Sequence, residues 1–164
     1  MTAVSNEVLA KIDQLHGRYI VALDSKDMGA WLNTFSTDAN ASYICTTAEN
    51  VEAKHALAMI LDDCHARLRD RVSFVTKVWV GTYSDYRTRH LIVRTGCRAA
   101  EDGLFAVESN FCVYYTPSDT GRAEIFATGV YLDRVKVNGE EACFQSRKAV
   151  MDNSVLERYM VFPL

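Results

Sequence analysis

The sequence predicts an α+β fold, a strongly curved antiparallel sheet with N-terminal helices packed on one face. Three observations lead there. Apolar residues in the first part of the chain recur at spacings of three and four. From residue 89 onward they fall in long strand-like runs. Those runs are separated by short stretches of turn chemistry, which is how antiparallel hairpins are joined. Helices first and hairpin-linked strands after is the α+β order.

The first helix starts at Ser5, a natural N-cap, and carries Leu9, Ile12, Leu15, Tyr19 and Leu23 along one stripe. "DSKD" (24–27) ends or kinks it, and Asp27 is placed to cap a short second helix bearing Trp31, Leu32 and Phe35. "STDAN" (36–40) is turn-like and "ASYICTT" (41–47) is a short strand. From Lys54 to about Arg69 the helical spacing returns through Leu57, Ile60, Leu61, Cys64 and Leu68. Everything after Val72 reads as β: a segment at 72–80, the "GTYSDYR" loop, then strands at 89–100, 104–116, 123–137 and 142–152. "EDG", "PSDTG" and "NGEE" are the turns between those last four. Strands this long must curl to keep their twist, and Gly129 inside one of them marks a candidate bulge. A curled sheet closed by helices makes a cone, whose interior is either a pocket or a filled core.

The bulk numbers fit one domain spanning residues 1–164. The net charge of −3 gives no reason to expect nucleic acid or an anionic membrane as partner. The distribution says more. Eight basic residues lie between Arg67 and Arg98 against only Asp70 and Asp85, so that segment is +6 and the remainder −9. Such an excess is either a solvated sheet face or a surface for an acidic partner. The five cysteines form no CxxC pair and sit among apolar or β-type residues, as reduced thiols of a cytoplasmic protein do. No signal region opens the chain, and no apolar run approaches the roughly 20 residues of a membrane-spanning helix.

A search for chemistry returns little. The histidines are His16, His55, His65 and His90, with no HxxxH, no HExxH and no Cys-x-His pair. Ten residues separate His55 from His65, which on one helix places them nearly three turns apart. There is no GxSxG elbow, GxGxxG loop or P-loop. Acid–base work inside the cone is the enzyme alternative, with Asp24, Asp27, Asp38 and His90 as candidate bases and Tyr19, Tyr43 or Tyr83 as donors. Each aspartate also has a cap or turn explanation.

Five segments, in order, carry a resemblance: "LDSKDMGAWLNTFSTDA" (23–39), "RDRV" (69–72), "RTRHLIV" (87–93), "EIFATGVYLDRV" (124–135) and "SRKAVMDNSVLERYMVFPL" (146–164). Together they resemble the small (β) subunits of aromatic-ring-hydroxylating oxygenases, the Rieske non-haem iron enzymes. The resemblance implies the cone-shaped fold shared with nuclear transport factor 2. It implies no catalytic residue, cofactor or metal in this chain. The Rieske [2Fe-2S] cluster and the mononuclear iron belong to the catalytic α subunit, which receives electrons from a ferredoxin or reductase. The implied role is structural, in an α3β3 assembly where the chain meets α and other β subunits. The "YRTRH" spelling and the "FPL" ending lean toward relatives acting on ring carboxylates. Two alternatives stand beside this: a stand-alone cone-fold isomerase or dehydratase, and a small-molecule binding module.

Arginine and aromatic residues are enriched where protein surfaces meet. The expected subunit interface is therefore Trp79, Tyr83, Tyr86, Arg87, Arg89 and His90, with Phe162 and Leu164 of the tail. Residues two apart on a strand share a side, so Arg87 and Arg89 can face one partner, or brace Asp85 and neighbouring strands within the chain. The tail "MVFPL" (160–164) inserts into a neighbour or packs on its own core.

Overall fold

The polypeptide alternates helices and short strands before four long strands close the fold. A computed structural model describes residues 4–100 and 102–164. The elements are α1 (Asn6–Asp24), α2 (Met28–Leu32), β1 (Ser42–Thr47), α3 (Ala48–Glu52), β2 (Ile60–Asp62), α4 (His65–Ser73), a π-helical turn (Phe74–Val78), β3 (Tyr86–Ala99), β4 (Phe105–Pro117), β5 (Glu124–Asn138) and β6 (Glu141–Met151).

The expected caps and the α1 stripe hold, but α2 ends at Leu32, so Phe35 lies beyond it, buried and bridged to Phe144 of β6. The Ser5 hydroxyl accepts from the Val8 amide, and the Asp27 carboxylate accepts from the Ala30 amide at 2.8 Å. Between them α1 ends on Lys26 in the left-handed region, φ 60°, where the amide of Asp27 reaches back to the Ala22 carbonyl. Ile12, Leu15, Tyr19 and Leu23 are fully buried on the predicted stripe.

The sheet has six strands in the order β2-β1-β6-β5-β4-β3. β3 through β6 form the predicted antiparallel meander. β1 joins β6 in parallel, with Tyr43 opposite Arg147, and β2 pairs antiparallel with β1. The sheet is therefore mixed rather than purely antiparallel. α1 packs against β3, β5 and β6, so the helical layer lies on the concave side.

Two predicted stretches fold differently. Residues 54–69 are not one helix: Ile60–Asp62 is an edge strand, with Ile60 and Asp62 buried and Leu61 exposed, and only His65 onward is helical. The open edge of β1 needs a partner, and that tertiary demand outweighs local spacing. Residues 72–80 are not a strand. The helix continues into the π-helical turn, and Leu68, Val72, Val75 and Trp79 face the core at spacings of four, three and four. The β-branched composition concealed that helical stripe.

Gly129 is not at a bulge. It sits in regular register between Phe111 and Met151. A Cβ there would lie 2.1 Å from the Val150 carbonyl oxygen and 2.9 Å from Phe111 Cζ, so glycine permits a close approach of strand and ring. The register shifts fall instead between Arg94 and Gly96, Val113 and Tyr114, and Arg134 and Val135. All five cysteines are free thiols.

Candidate functional site

The period of two on β3 divides the stretch that the sequence singled out. Tyr86, Thr88 and His90 point inward, with 7%, 8% and 5% exposure. Arg87, Arg89, Leu91 and Val93 point outward and are exposed. The inward residues meet the end of α1. Asp24 accepts from Thr88 Oγ1 at 3.0 Å, from the His90 amide at 3.3 Å, and contacts His90 Nδ1 at 2.6 Å. Burial pushes the Asp24 carboxyl upward, but these donors together hold it below the ordinary carboxylate range. The His90 Nε2 atom is buried with no partner among the described residues.

Outward, the Arg89 guanidinium donates to the Thr88 carbonyl at 2.7 Å, and the Arg87 side chain forms no hydrogen bond or ion pair among the described residues. Neither arginine braces Asp85. That carboxylate is taken by Lys26, which lies over the Tyr86 ring at 5.2 Å. Of the other six basic residues of the +6 segment, Arg71 is bidentate on Asp62, Arg67 meets Asp63 and Arg94 is bidentate on Asp13, while Arg69, Lys77 and Arg98 have no carboxylate partner among the described residues.

The expected interface residues thus separate. Tyr86, His90, Phe162 and Leu164 are buried in the chain's own interior, which takes them out of any exposed docking surface. Phe162 packs edge-on to Tyr83 and Tyr86, with centroids 6.1 and 6.2 Å away. Trp79 is half-buried and packs edge-on to Phe74 at 5.3 Å. Tyr83 is half-buried. Only Arg87 and Arg89 are fully on the outside.

The tail closes the cone. The Leu164 amide donates to the Tyr43 hydroxyl at 2.9 Å, and the hydroxyls of Tyr19 and Tyr43 both reach the Leu164 carbonyl. Of the two alternatives for the tail, the structure takes packing on its own core. Burial pushes the Tyr19 phenol up to about 12, so it remains a hydrogen-bond donor.

One interior feature was not anticipated. Arg147 and Asp133, both with side chains at 0% exposure, pair through Nε and Nη2 at 2.9 and 2.7 Å. The guanidinium lies 4.0 to 4.2 Å from the ring centroids of Tyr131, Phe144 and Tyr19. His16 Nε2 sits 3.4 Å from Asp133 without hydrogen-bond geometry. The available signal was phase: Asp133 follows Tyr131 at the core-facing period of β5, as Arg147 precedes Ala149 on β6. Among the described residues no three of His, Cys, Asp or Glu converge as a metal-binding group. His55 is exposed in a loop, outside any helix shared with His65.

A curled sheet wrapped around a long N-terminal helix, its interior closed by its own tail, defines a cone-shaped α+β protein. Solved structures of that shape agree. One, described as the β subunit of an aromatic-ring-hydroxylating dioxygenase from Novosphingobium aromaticivorans, superposes with TM-score 0.76 at 26% identity, covering 88% of each chain. The β subunit of benzoate 1,2-dioxygenase from Burkholderia mallei shares the fold at TM-score 0.71 and 21% identity, over 93% of each chain. A β subunit of the terminal oxygenase component of terephthalate 1,2-dioxygenase from Comamonas sp. is 27% identical over 97% of this chain and 99% of its own length. The profile of the ring hydroxylating beta subunit family matches residues 18–158, and the chain belongs to that family. It is a subunit of a ring-hydroxylating dioxygenase, and an α subunit is its partner.

Proposed function

We propose that this chain is the non-catalytic, structural β subunit of a terminal oxygenase, supporting an α3β3 assembly that oxidises a carboxylated aromatic compound. The observation that carries the reading is how the interior is used: the tail is seated on Tyr19 and Tyr43, and the central charged pair, Arg147 and Asp133, is fully buried and bonded to itself. The relationship to terephthalate and benzoate dioxygenase subunits supports the carboxylated substrate class. In this reading the Rieske cluster and mononuclear iron reside in α, electrons reach them from a ferredoxin or reductase, and the assembly is cytoplasmic. The test is expression with and without the catalytic subunit. Alone, the chain is expected to bind no stoichiometric iron and show no visible cluster bands; together, the complex is expected to have the mass of six chains. Iron at one per isolated chain overturns the reading.

The Asp24–His90 pair is the one observation favouring an acid–base site. Its test is diethyl pyrocarbonate treatment of the folded chain, with exposed His55 as the internal control. Protection of His90 makes the pair a clasp between α1 and β3, and modification at the rate of His55 makes it an accessible base.

A further inference from the structure

The hairpin between β5 and β6 carries a reactive pair of residues. Of the chain's seven asparagines only Asn138 precedes a glycine. Asn138 ends β5 opposite Glu141, and Gly139 and Glu140 form the two-residue loop between them. Gly139 takes the left-handed conformation, φ 54°, that lets so short a loop close. Asn138, Gly139 and Glu140 are all exposed. Neither the Asn138 side chain nor the Gly139 amide is in a hydrogen bond among the described residues, and a Cβ on Gly139 would meet nothing within 4 Å. Lys11 touches the tip through the Gly139 carbonyl, to which it donates at 2.8 Å.

We propose that Asn138 is a site of self-modification, at which the Gly139 amide nitrogen attacks the Asn138 side-chain amide and converts it, with time, to aspartate and isoaspartate. The Gly139 nitrogen bonds to Asn138 Cγ, the Cγ–Nδ2 bond breaks, and the Gly139 amide proton leaves with that nitrogen as ammonia. Water then opens the five-membered imide at either carbonyl. One opening leaves aspartate. The other routes the main chain through Cβ and Cγ and adds one carbon to the backbone. Both place a new carboxylate beside Glu140 and Glu141. The added carbon falls in the loop that fixes the β5–β6 register, next to the carbonyl that Lys11 holds.

Two other positions share part of this chemistry and lack the freedom. Asn153 precedes Ser154, but its side chain donates to the Phe126 and Val155 carbonyls at 3.1 Å and accepts from the Thr128 amide at 3.3 Å. Asp102 precedes Gly103, but Arg134 takes its carboxylate and holds it below the ordinary carboxylate range, in the ionised form that resists attack.

The test is incubation of the folded chain in mildly alkaline buffer, followed by tryptic digestion and mass spectrometry. The peptide of residues 137–147 is expected to gain the mass difference between amide and acid about tenfold faster than any peptide carrying another asparagine. An isoaspartate-specific methyltransferase is expected to label the aged wild-type chain but not Asn138→Gln, whose longer side chain would have to close a six-membered ring. If the folded chain keeps its amide while a free synthetic peptide of residues 137–147 loses it, the hairpin protects the site and the proposal is overturned. Faster conversion at Asn153, or at any other asparagine of the folded chain, overturns it as well.

Discussion

Arg147 holds Asp133 with two parallel hydrogen bonds at the centre of the cone, where neither side chain meets solvent. Three aromatic rings surround the guanidinium, so its charge is answered by one carboxylate and by π faces. Burial pushes the Asp133 carboxyl upward, and Arg147 and His16 overrule it, leaving it below its ordinary value. Removing one member strands the other. Asp133→Asn is expected to cost about 3–5 kcal/mol in urea unfolding, whereas Asp133→Leu/Arg147→Met is expected to recover most of that loss. A double variant no more stable than the single one would show that the pair is a net source of stability.

Acid should weaken the fold in two stages. Burial lowers the pKa of His16 below 6.5, so the unfolded chain takes up a proton there before the folded one does. Stability is therefore full above about pH 7 and falls as the pH drops below 6.5. Asp133 and Asp24 have depressed folded values, and their contribution is lost only as the pH falls below about 4. Urea midpoints between pH 8 and 3 should show both stages. In His16→Gln the first stage is expected to vanish while the second remains.

Gly129 tests the close approach of β5 to β6 and to Phe111. Its missing side chain lets the Phe111 ring stack on Tyr131 with centroids 4.3 Å apart. Gly129→Ala drives a methyl into the Val150 carbonyl, which belongs to the sheet backbone and cannot swing away. The expected cost is about 3 kcal/mol, read as a lower chemical-denaturation midpoint. The variant Gly17→Ala, with nothing within 4 Å of the added carbon, is the matched control and is expected to be neutral or stabilising.

Local signals made much of this fold legible. Ser5 and Asp27 are caps, and the hairpin segments around residues 118–123 and 139–140 are loops, because these features depend on a few neighbouring residues. β2 and the parallel β1–β6 pairing were not legible, since each is decided by a partner distant in sequence. The candidate site was half legible. The arginines of β3 were read on one side, but Tyr86 and His90 belong to the opposite phase of the same strand and serve the interior. Counting by twos from Thr88 would have separated them.

Tyr43 joins the tail to the core, and its hydroxyl is the most economical place to loosen that closure. It accepts from the Leu164 amide at 2.9 Å and lies 3.2 Å from the Leu164 carbonyl, all within buried surroundings. Tyr43→Phe keeps the ring against Trp31 and Phe35 while leaving the Leu164 amide without its acceptor. An unsatisfied buried donor costs roughly 1–3 kcal/mol, concentrated here in the segment it holds. Amide exchange at Val161, Phe162 and Leu164 is therefore expected to accelerate about tenfold or more, with protection in α1 and β4 little changed. If those three amides exchange at the wild-type rate, the tail is held by the Phe162 ring and its aromatic neighbours instead, and Phe162→Ala becomes the variant that releases it.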